Sequence, residues 1–204
     1  MLKEKIIRLL FAIEDVFFEI TSGLNFSGNI AKEKLVTTFA TKTNAHEYRP
    51  VYARNIRVLI SEANKLGTVY RNFIDIGSGK GKACFYALKE NQFENIIGIE
   101  FSEELVDIAN YNKEISGFKN ISFLNEDATA YILPNESSLI FLFNPFDGHV
   151  LEIFIKNNLD HFKMCKSVIA YANDVHRVVL SEFGFETVFR DQDRKVSLHR
   201  MYKI

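Results

Sequence analysis

The stretch Phe73-Ile74-Asp75-Ile76-Gly77-Ser78-Gly79-Lys80-Gly81-Lys82 sets the architecture of this chain. Three β-prone apolar residues, Phe73, Ile74 and Ile76, run into three glycines at alternate positions, and the apolar run Ala83-Cys84-Phe85-Tyr86-Ala87-Leu88 follows at once. The pattern reads as a buried strand, a tight turn and a helix start, the arrangement that brings a ligand against bare backbone. Glycine reaches positive φ in such a turn, and without a Cβ it lets a ligand approach closely.

Around this stretch the chain alternates strand and helix. The apolar runs 72–76, 95–100, 120–124, 138–143 and 166–171 are short and strand-like, and helical stretches lie near 80–90, 102–116, 148–162 and 174–183. Such βαβ alternation implies a mainly parallel sheet with helices on both faces. The tail departs from it: Phe185 to Arg190 and Lys195 to Tyr202 flank Asp191-Gln192-Asp193-Arg194, which reads as a hairpin adding an antiparallel edge. Upstream, residues 2–20 read as an amphipathic helix, with Ile6, Leu9, Leu10, Ile13, Val16, Phe17 and Ile20 at helical spacing and charges of both signs between them. Packing on the domain or on a partner is the favoured role for that stripe, because a membrane-surface helix wants a basic polar face. Gly23 to Gly28 reads as a loop, and 30–42 has no decisive pattern. A helix over 51–66 is closed by Gly67. The expected division is a helical extension or lid over 1–66 packed on a core over 67–204.

At 204 residues, with 47% hydrophobic and 25% charged residues, the chain is long enough for one domain with a full core. A net charge of -1 argues against a broad nucleic-acid footprint, although a local patch stays open. Cys84 and Cys165 both sit in apolar runs and read as buried thiols, with neither metal-ligand spacing nor a disulfide framework. No apolar run approaches the ~18 residues of a membrane span. Met1 to Arg8 is followed by no signal-peptide core, so the expected compartment is the cytoplasm.

A phosphate-binding loop of the G-x-x-x-x-G-K-[ST] type fails here, since Gly81-Lys82 is preceded four places earlier by Ile76 and followed by Ala83. The dinucleotide fingerprint fits Gly77 and Gly79, but its third glycine falls on Lys82. The actual pattern, Asp75-x-Gly77-x-Gly79-x-Gly81, resembles motif I of the class I S-adenosylmethionine-dependent methyltransferases. That resemblance implies a Rossmann-like α/β fold with a seven-stranded, mainly parallel sheet and a C-terminal antiparallel hairpin, here with an N-terminal helical extension. It also implies S-adenosylmethionine as cofactor and S-adenosylhomocysteine as product. The second strand ends on Glu100, a little over 20 residues past the loop, where an acid can accept both ribose hydroxyls. Phe101 follows it and can lie against the adenine ring, and Ser102 reads as a helix N-cap. Asp127 matches the position whose carboxylate accepts from the adenine amino group, with Ala128 as an adjacent backbone donor; a helix N-cap is the other reading of Asp127. Asp75, Gly77, Ser78, Gly79 and Gly81 are assigned to the cofactor by the same resemblance. His46, Tyr48 and Tyr52 are candidates for a substrate or cofactor mouth, with a solvated loop as the other reading, and Tyr48 is assigned to the cofactor.

The fourth strand ends in Asn144-Pro145-Phe146-Asp147. Strand carboxyl ends bind ligands in an open parallel sheet, so this tetrapeptide is expected to face the transferable methyl group. It resembles the Asn-Pro-Pro-Tyr/Phe motif of amino-group methyltransferases, shortened by one proline; non-SET histone-lysine methyltransferases share the glycine loop and carry Asn-Asn-Phe at this place. Over most of its length the chain resembles small bacterial class I methyltransferases of unassigned substrate, through Gly23 to Gly28, Tyr48-Arg49-Pro50 and Asn144 to Phe146. Where many of those carry Asn-Pro after the fifth strand, this chain has Asn173-Asp174. The resemblance implies transfer to a nitrogen, with Asn144 as hydrogen-bond acceptor and Phe146 as a wall or stacking surface. Pro145 belongs to that catalytic motif, and Asp147 is the nearest titratable group. A protein lysine or other amine, or a small molecule, is the expected acceptor ahead of nucleic acid. A non-catalytic adenosylmethionine-binding regulator and a nicotinamide-dependent oxidoreductase are the alternatives; the displaced third glycine and the terminal hairpin count against the latter.

Overall fold

The computed structural model describes residues 2–90 and 92–201, with side chains from residue 9 onward. Five parallel strands, β1 (Asn72–Ile76), β2 (Asn95–Glu100), β3 (Ile121–Asn125), β4 (Ser138–Leu142) and β5 (Val168–Ala172), are followed by an antiparallel pair, β6 (Phe185–Asp191) and β7 (Val196–Met201). The sheet order is β3-β2-β1-β4-β5-β7-β6. The hairpin therefore joins through its second strand, β7 lying antiparallel to both β5 and β6. The expected end of that strand at Tyr202 lies outside the described residues.

The helices are α1 (Leu2–Ser22), α2 (Ala53–Asn64), α3 (Lys82–Lys89), α4 (Glu103–Ser116), α5 (Gly148–Asn157), α6 (Leu159–Met164) and α7 (Arg177–Glu182). Every residue of β1 is buried, and its side chains alternate between two cores. Phe73 joins Ile56, Leu59 and Phe85 on the side of α2 and α3, while Ile74 and Ile76 join Leu151, Phe154 and Ile155 on the side of α5. Burial on both faces explains why the strand reads as an apolar run rather than an alternating one. Each such side chain contributes about 1.5–3 kcal/mol.

Two regions depart from the sequence reading, and a third that it left open takes form. The helix expected over 148–162 breaks at Asn158, whose side chain donates to Tyr131 O and Phe154 O (both 3.0 Å) and accepts from Leu133 N at 2.7 Å. The last helix shrinks to α7, because Asp174 is held by Arg190 at 2.8 Å. Residues 30–42, which had no decisive pattern, carry one short 3-10 turn at Lys32–Lys34 and the start of another at Ala40–Asn44. A bridge of Ile30 with Tyr48 closes this segment on itself, and one of Ala45 with Phe146 ties it to the sheet's carboxyl edge.

Of the two roles open to the apolar stripe of α1, packing on the domain is not the one it takes, because the helix turns its charged side inward. Phe18 packs on Phe26 and Tyr86, Asp15 pairs with Lys82 at 2.8 Å, and Glu14 pairs with Arg57. The apolar stripe from Leu9 to Ile20 points away from the domain. Among the described residues no helix is long and apolar enough to cross a membrane.

Candidate active site

From β1 the sheet grows in one direction to β2 and β3 and in the other to β4 and β5. A crevice opens at the carboxyl ends of strands where the order reverses, and the glycine loop lies there. Gly77 (φ +77°) and Gly79 (φ +53°) hold left-handed backbone, and the N–H groups of Gly77 and Ser78 donate to Ile99 O at 2.8 and 3.0 Å. A Cβ on Gly77 would run into Pro145, and one on Gly79 into the Tyr48 ring. The loop is thus pressed between the motif that ends β4 and the segment that precedes α2. Gly81 starts α3 against the Phe123 ring; neither it nor Gly79 lines the cavity.

Two buried carboxylates flank the loop. Asp75, the one charged residue of β1, lies under α3 with Cys84 Sγ 3.9 Å away. Burial, then the charge of Glu100, pushes its pKa up to about 8. Glu100 accepts from Gly79 N and Ser102 N, both at 2.9 Å, and burial still raises it to about 7 against those backbone donors. Ser102 occupies the N-cap position of α4, but its hydroxyl makes no capping bond.

Among the described residues no ion pair reaches Asp75 or Glu100. The loop lysines turn elsewhere: Lys80 Nζ donates to Ser27 O at 2.6 Å and Asn25 Oδ1 at 3.1 Å, and Lys82 meets Asp15. Two buried acids without a cation suit the positive charges of S-adenosylmethionine and do not suit a pyrophosphate. The Ser78 hydroxyl is also buried and unpartnered among the described residues.

A cavity of about 280 Å³ opens beside these groups, and Asp75, Gly77, Ser78, Glu100, Phe101, Asp127 and Ala128 line it. Asn144, Pro145 and Phe146 line it from β4, and Thr41, His46 and Tyr48 from the N-terminal segment. The Asp127 carboxylate serves the turn after β3, accepting from Thr129 N at 2.8 Å and Thr129 Oγ1 at 2.7 Å, and it also takes the Thr41 hydroxyl. No helix follows β3, so the expected N-cap role becomes a turn-closing one, held beside the cavity position. The Tyr48 hydroxyl donates to Phe26 O at 2.7 Å, which holds the ring over the loop, and burial raises its pKa far above the usual range.

At the end of β4, Asn144 adopts φ +44°, a conformation asparagine tolerates better than most residues. Its Oδ1 accepts from the Tyr171 hydroxyl at 3.1 Å, and its backbone carbonyl lies 2.8 Å from His46 Nδ1. His46 N donates to Pro145 O at 2.9 Å. Phe146 is almost fully buried and forms part of the wall. Asp147 does not line the cavity; it caps α5, accepting from His149 N and Val150 N. Burial raises its pKa, but the Asn44 side chain (2.7 Å) and those two N–H groups outweigh burial and leave it low. Thr41 and Tyr171 were not foreseen, and His46 only as one of three candidates. Tyr171 had a signal, a lone hydroxyl in an aliphatic strand, whereas Thr41 lies in the stretch without a pattern.

The family model described as "Methyltransferase domain" matches residues 70–191. A curated protein of Prochlorococcus marinus, described as an uncharacterised RNA methyltransferase, is 36% identical over 85 residues, 40% of this chain. The match spans only 19% of that relative's length. Among solved structures, a putative RNA methyltransferase from Pyrococcus horikoshii superposes with TM-score 0.58 at 19% identity, covering 85% of this chain and 92% of that one. A putative S-adenosylmethionine-dependent methyltransferase from Methanococcus maripaludis gives TM-score 0.55 at 16% identity, covering 74% and 86%. The expected order of acceptors is corrected by these relatives: the two that name an acceptor name RNA, against the preference for a protein or small molecule. With a family match over more than half its length and this seven-stranded topology, the chain belongs to the methyltransferase-domain family and has the Rossmann-like class I methyltransferase fold.

Proposed function

We propose that this enzyme methylates a nitrogen of an RNA base. The observation that carries the reading is the contact between its two motifs: Pro145 stands where a Cβ of Gly77 would be, so the glycine loop and Asn144–Phe146 share one cavity wall. S-adenosylmethionine supplies a methyl group already activated on a sulfonium. In this reading Glu100 accepts the ribose hydroxyls with its remaining lone pairs, and Asp75 faces the cationic amino acid end. Asp127 and Ala128 meet the adenine edge, Phe101 lies against its face, and Tyr48 roofs the loop. Asn144 Oδ1, oriented by Tyr171, accepts from the target nitrogen, and His46 steadies the two backbone carbonyls beside it. Phe146 walls the site, and Asp147 acts through the helix it caps. In-line displacement needs alignment and exclusion of water more than acid–base chemistry, which suits a site whose polar groups are already held in place.

Charge supports an RNA acceptor. Residues 32–54, which carry Thr41, His46 and Tyr48 over the cavity, contain Lys32, Lys34, Lys42, Arg49 and Arg54 against only Glu33 and Glu47. A local excess of cations in one segment positions phosphates even where the whole chain is near neutral. The description of the Prochlorococcus relative points the same way. The test is incubation of the purified enzyme with radiolabelled S-adenosylmethionine and, separately, RNA and protein fractions of one cell extract. Label in RNA that ribonuclease removes is the expected outcome; label confined to protein and removed by protease would sink it.

A further inference from the structure

The outward face of α1 is built from Leu9, Leu10, Ile13, Val16, Phe17 and Ile20, each between 50% and 76% exposed. From residue 9 to the end of the helix all of its charges, Glu14, Asp15 and Glu19, are spent on the inward side. They pair with Arg57, with Lys82 and with Phe26 N and Ser27 Oγ. The helix cannot roll over to bury its apolar face, because that would leave the buried Lys82 ammonium without its carboxylate. The exposed face is therefore a fixed feature of the fold, and we infer that it is the seam of a two-fold dimer in which α1 packs on α1 of a second copy of this chain.

Three features select a second copy as the occupant. The spacing Leu10-Ile13-Phe17-Ile20, flanked by Leu9 and Val16, is the three-four alternation of a helix–helix seam. From residue 9 onward the face carries no charge, so over that length two copies related by a two-fold axis meet without like-charge repulsion, as an isologous interface requires. Its apolar side chains expose on the order of 700 Å² per chain, close to the ~800 Å² per partner of a standard interface and beyond what a monomer usually leaves open. The patch also continues past the helix, where Gly23 abuts half-exposed Ile115. A lipid surface is disfavoured because, beyond Lys3, Lys5 and Arg8 in its first turns, the helix's polar side carries Glu14, Asp15 and Glu19 and no basic residue.

The test is light-scattering mass of the purified full chain, beside Ile13→Glu/Phe17→Glu, Ile13→Lys/Phe17→Lys and the milder Leu9→Ser/Phe17→Ser. The expected result is a dimeric parent, monomeric Glu and Lys variants that still melt cooperatively, and a dimer restored by mixing the two. The Ser variant should weaken the dimer at least ~10-fold. Restoration by mixing separates a lost interface from a lost fold. A monomeric parent at every concentration overturns the inference, and if that monomer sediments with anionic vesicles the face belongs to a membrane. A dimer that survives the Glu and Ser substitutions overturns it too, by putting the contact elsewhere.

Discussion

Glu100 is already held by two backbone N–H groups, and in the proposed reading its remaining lone pairs accept the ribose hydroxyls. Hydrogen bonds to a charged acceptor contribute about 1.5–3 kcal/mol, so Glu100→Gln should weaken S-adenosylmethionine binding by about 10- to 100-fold, measured by calorimetric titration. Unaltered affinity would remove Glu100 from the cofactor site. Asn144 raises a different question, because φ +44° alone is a reason for asparagine there. Two substitutions separate backbone from chemistry. Asn144→Gly tolerates the backbone but lacks the side-chain oxygen, and Asn144→Ala lacks both. If the oxygen aligns the acceptor, both variants lose about 100-fold in kcat while cofactor affinity holds. Recovery of turnover in the glycine variant alone would make Asn144 a turn residue.

At the level of elements, the loop between β4 and α5 does two jobs with adjacent residues. Asn144 and Pro145 face the cavity, while Asp147 starts the helix. Removing a side-chain N-cap costs about 1 kcal/mol. Asp147→Ala should therefore lower the melting temperature, and Asp147→Asn, which can still cap, should preserve both stability and turnover. A turnover collapse in a fully stable Asp147→Asn would return this carboxylate to the chemistry. The segment from 30 to 48 is the matching element on the other side. It has little regular structure, and the Ala45–Phe146 bridge with the His46 N to Pro145 O bond brings Thr41, His46 and Tyr48 over the strand ends.

For the whole molecule, the two buried acids link stability to pH. The folded values of Asp75 and Glu100, about 8 and about 7, lie above ordinary carboxylate values, so the free protein binds more protons than the unfolded chain between those limits. Their contribution is complete below the unfolded carboxylate range and is lost as pH rises through 7 and 8. Calorimetric melting of the free enzyme should fall from pH 5 to pH 8.5, and saturating S-adenosylmethionine, by compensating the ionised pair, should flatten that fall. A free enzyme equally stable at both ends would contradict the coupling. The same linkage requires cofactor affinity to rise with pH across this window.

The strand–loop–helix unit, the alternation behind it, the hairpin and Glu100 could all be read from the sequence, because each is encoded by neighbours within a few positions. Hydrophobic period, glycine placement and an acid at a strand end are local patterns, and a buried parallel strand leaves a continuous apolar run. Tertiary structure alone decided the roof of the site. His46 meets Asn144 across 98 positions, Thr41 meets Asp127 across 86, and Tyr171 reaches Asn144 from the next strand. The orientation of α1 was decided in the same way. Its periodicity showed an apolar stripe but not which side would face the domain, and the buried Lys82, a residue of another helix, drew the charged side inward. A local pattern carries no information about a partner that only folding brings near, and an uncompensated buried charge outweighs an exposed apolar face.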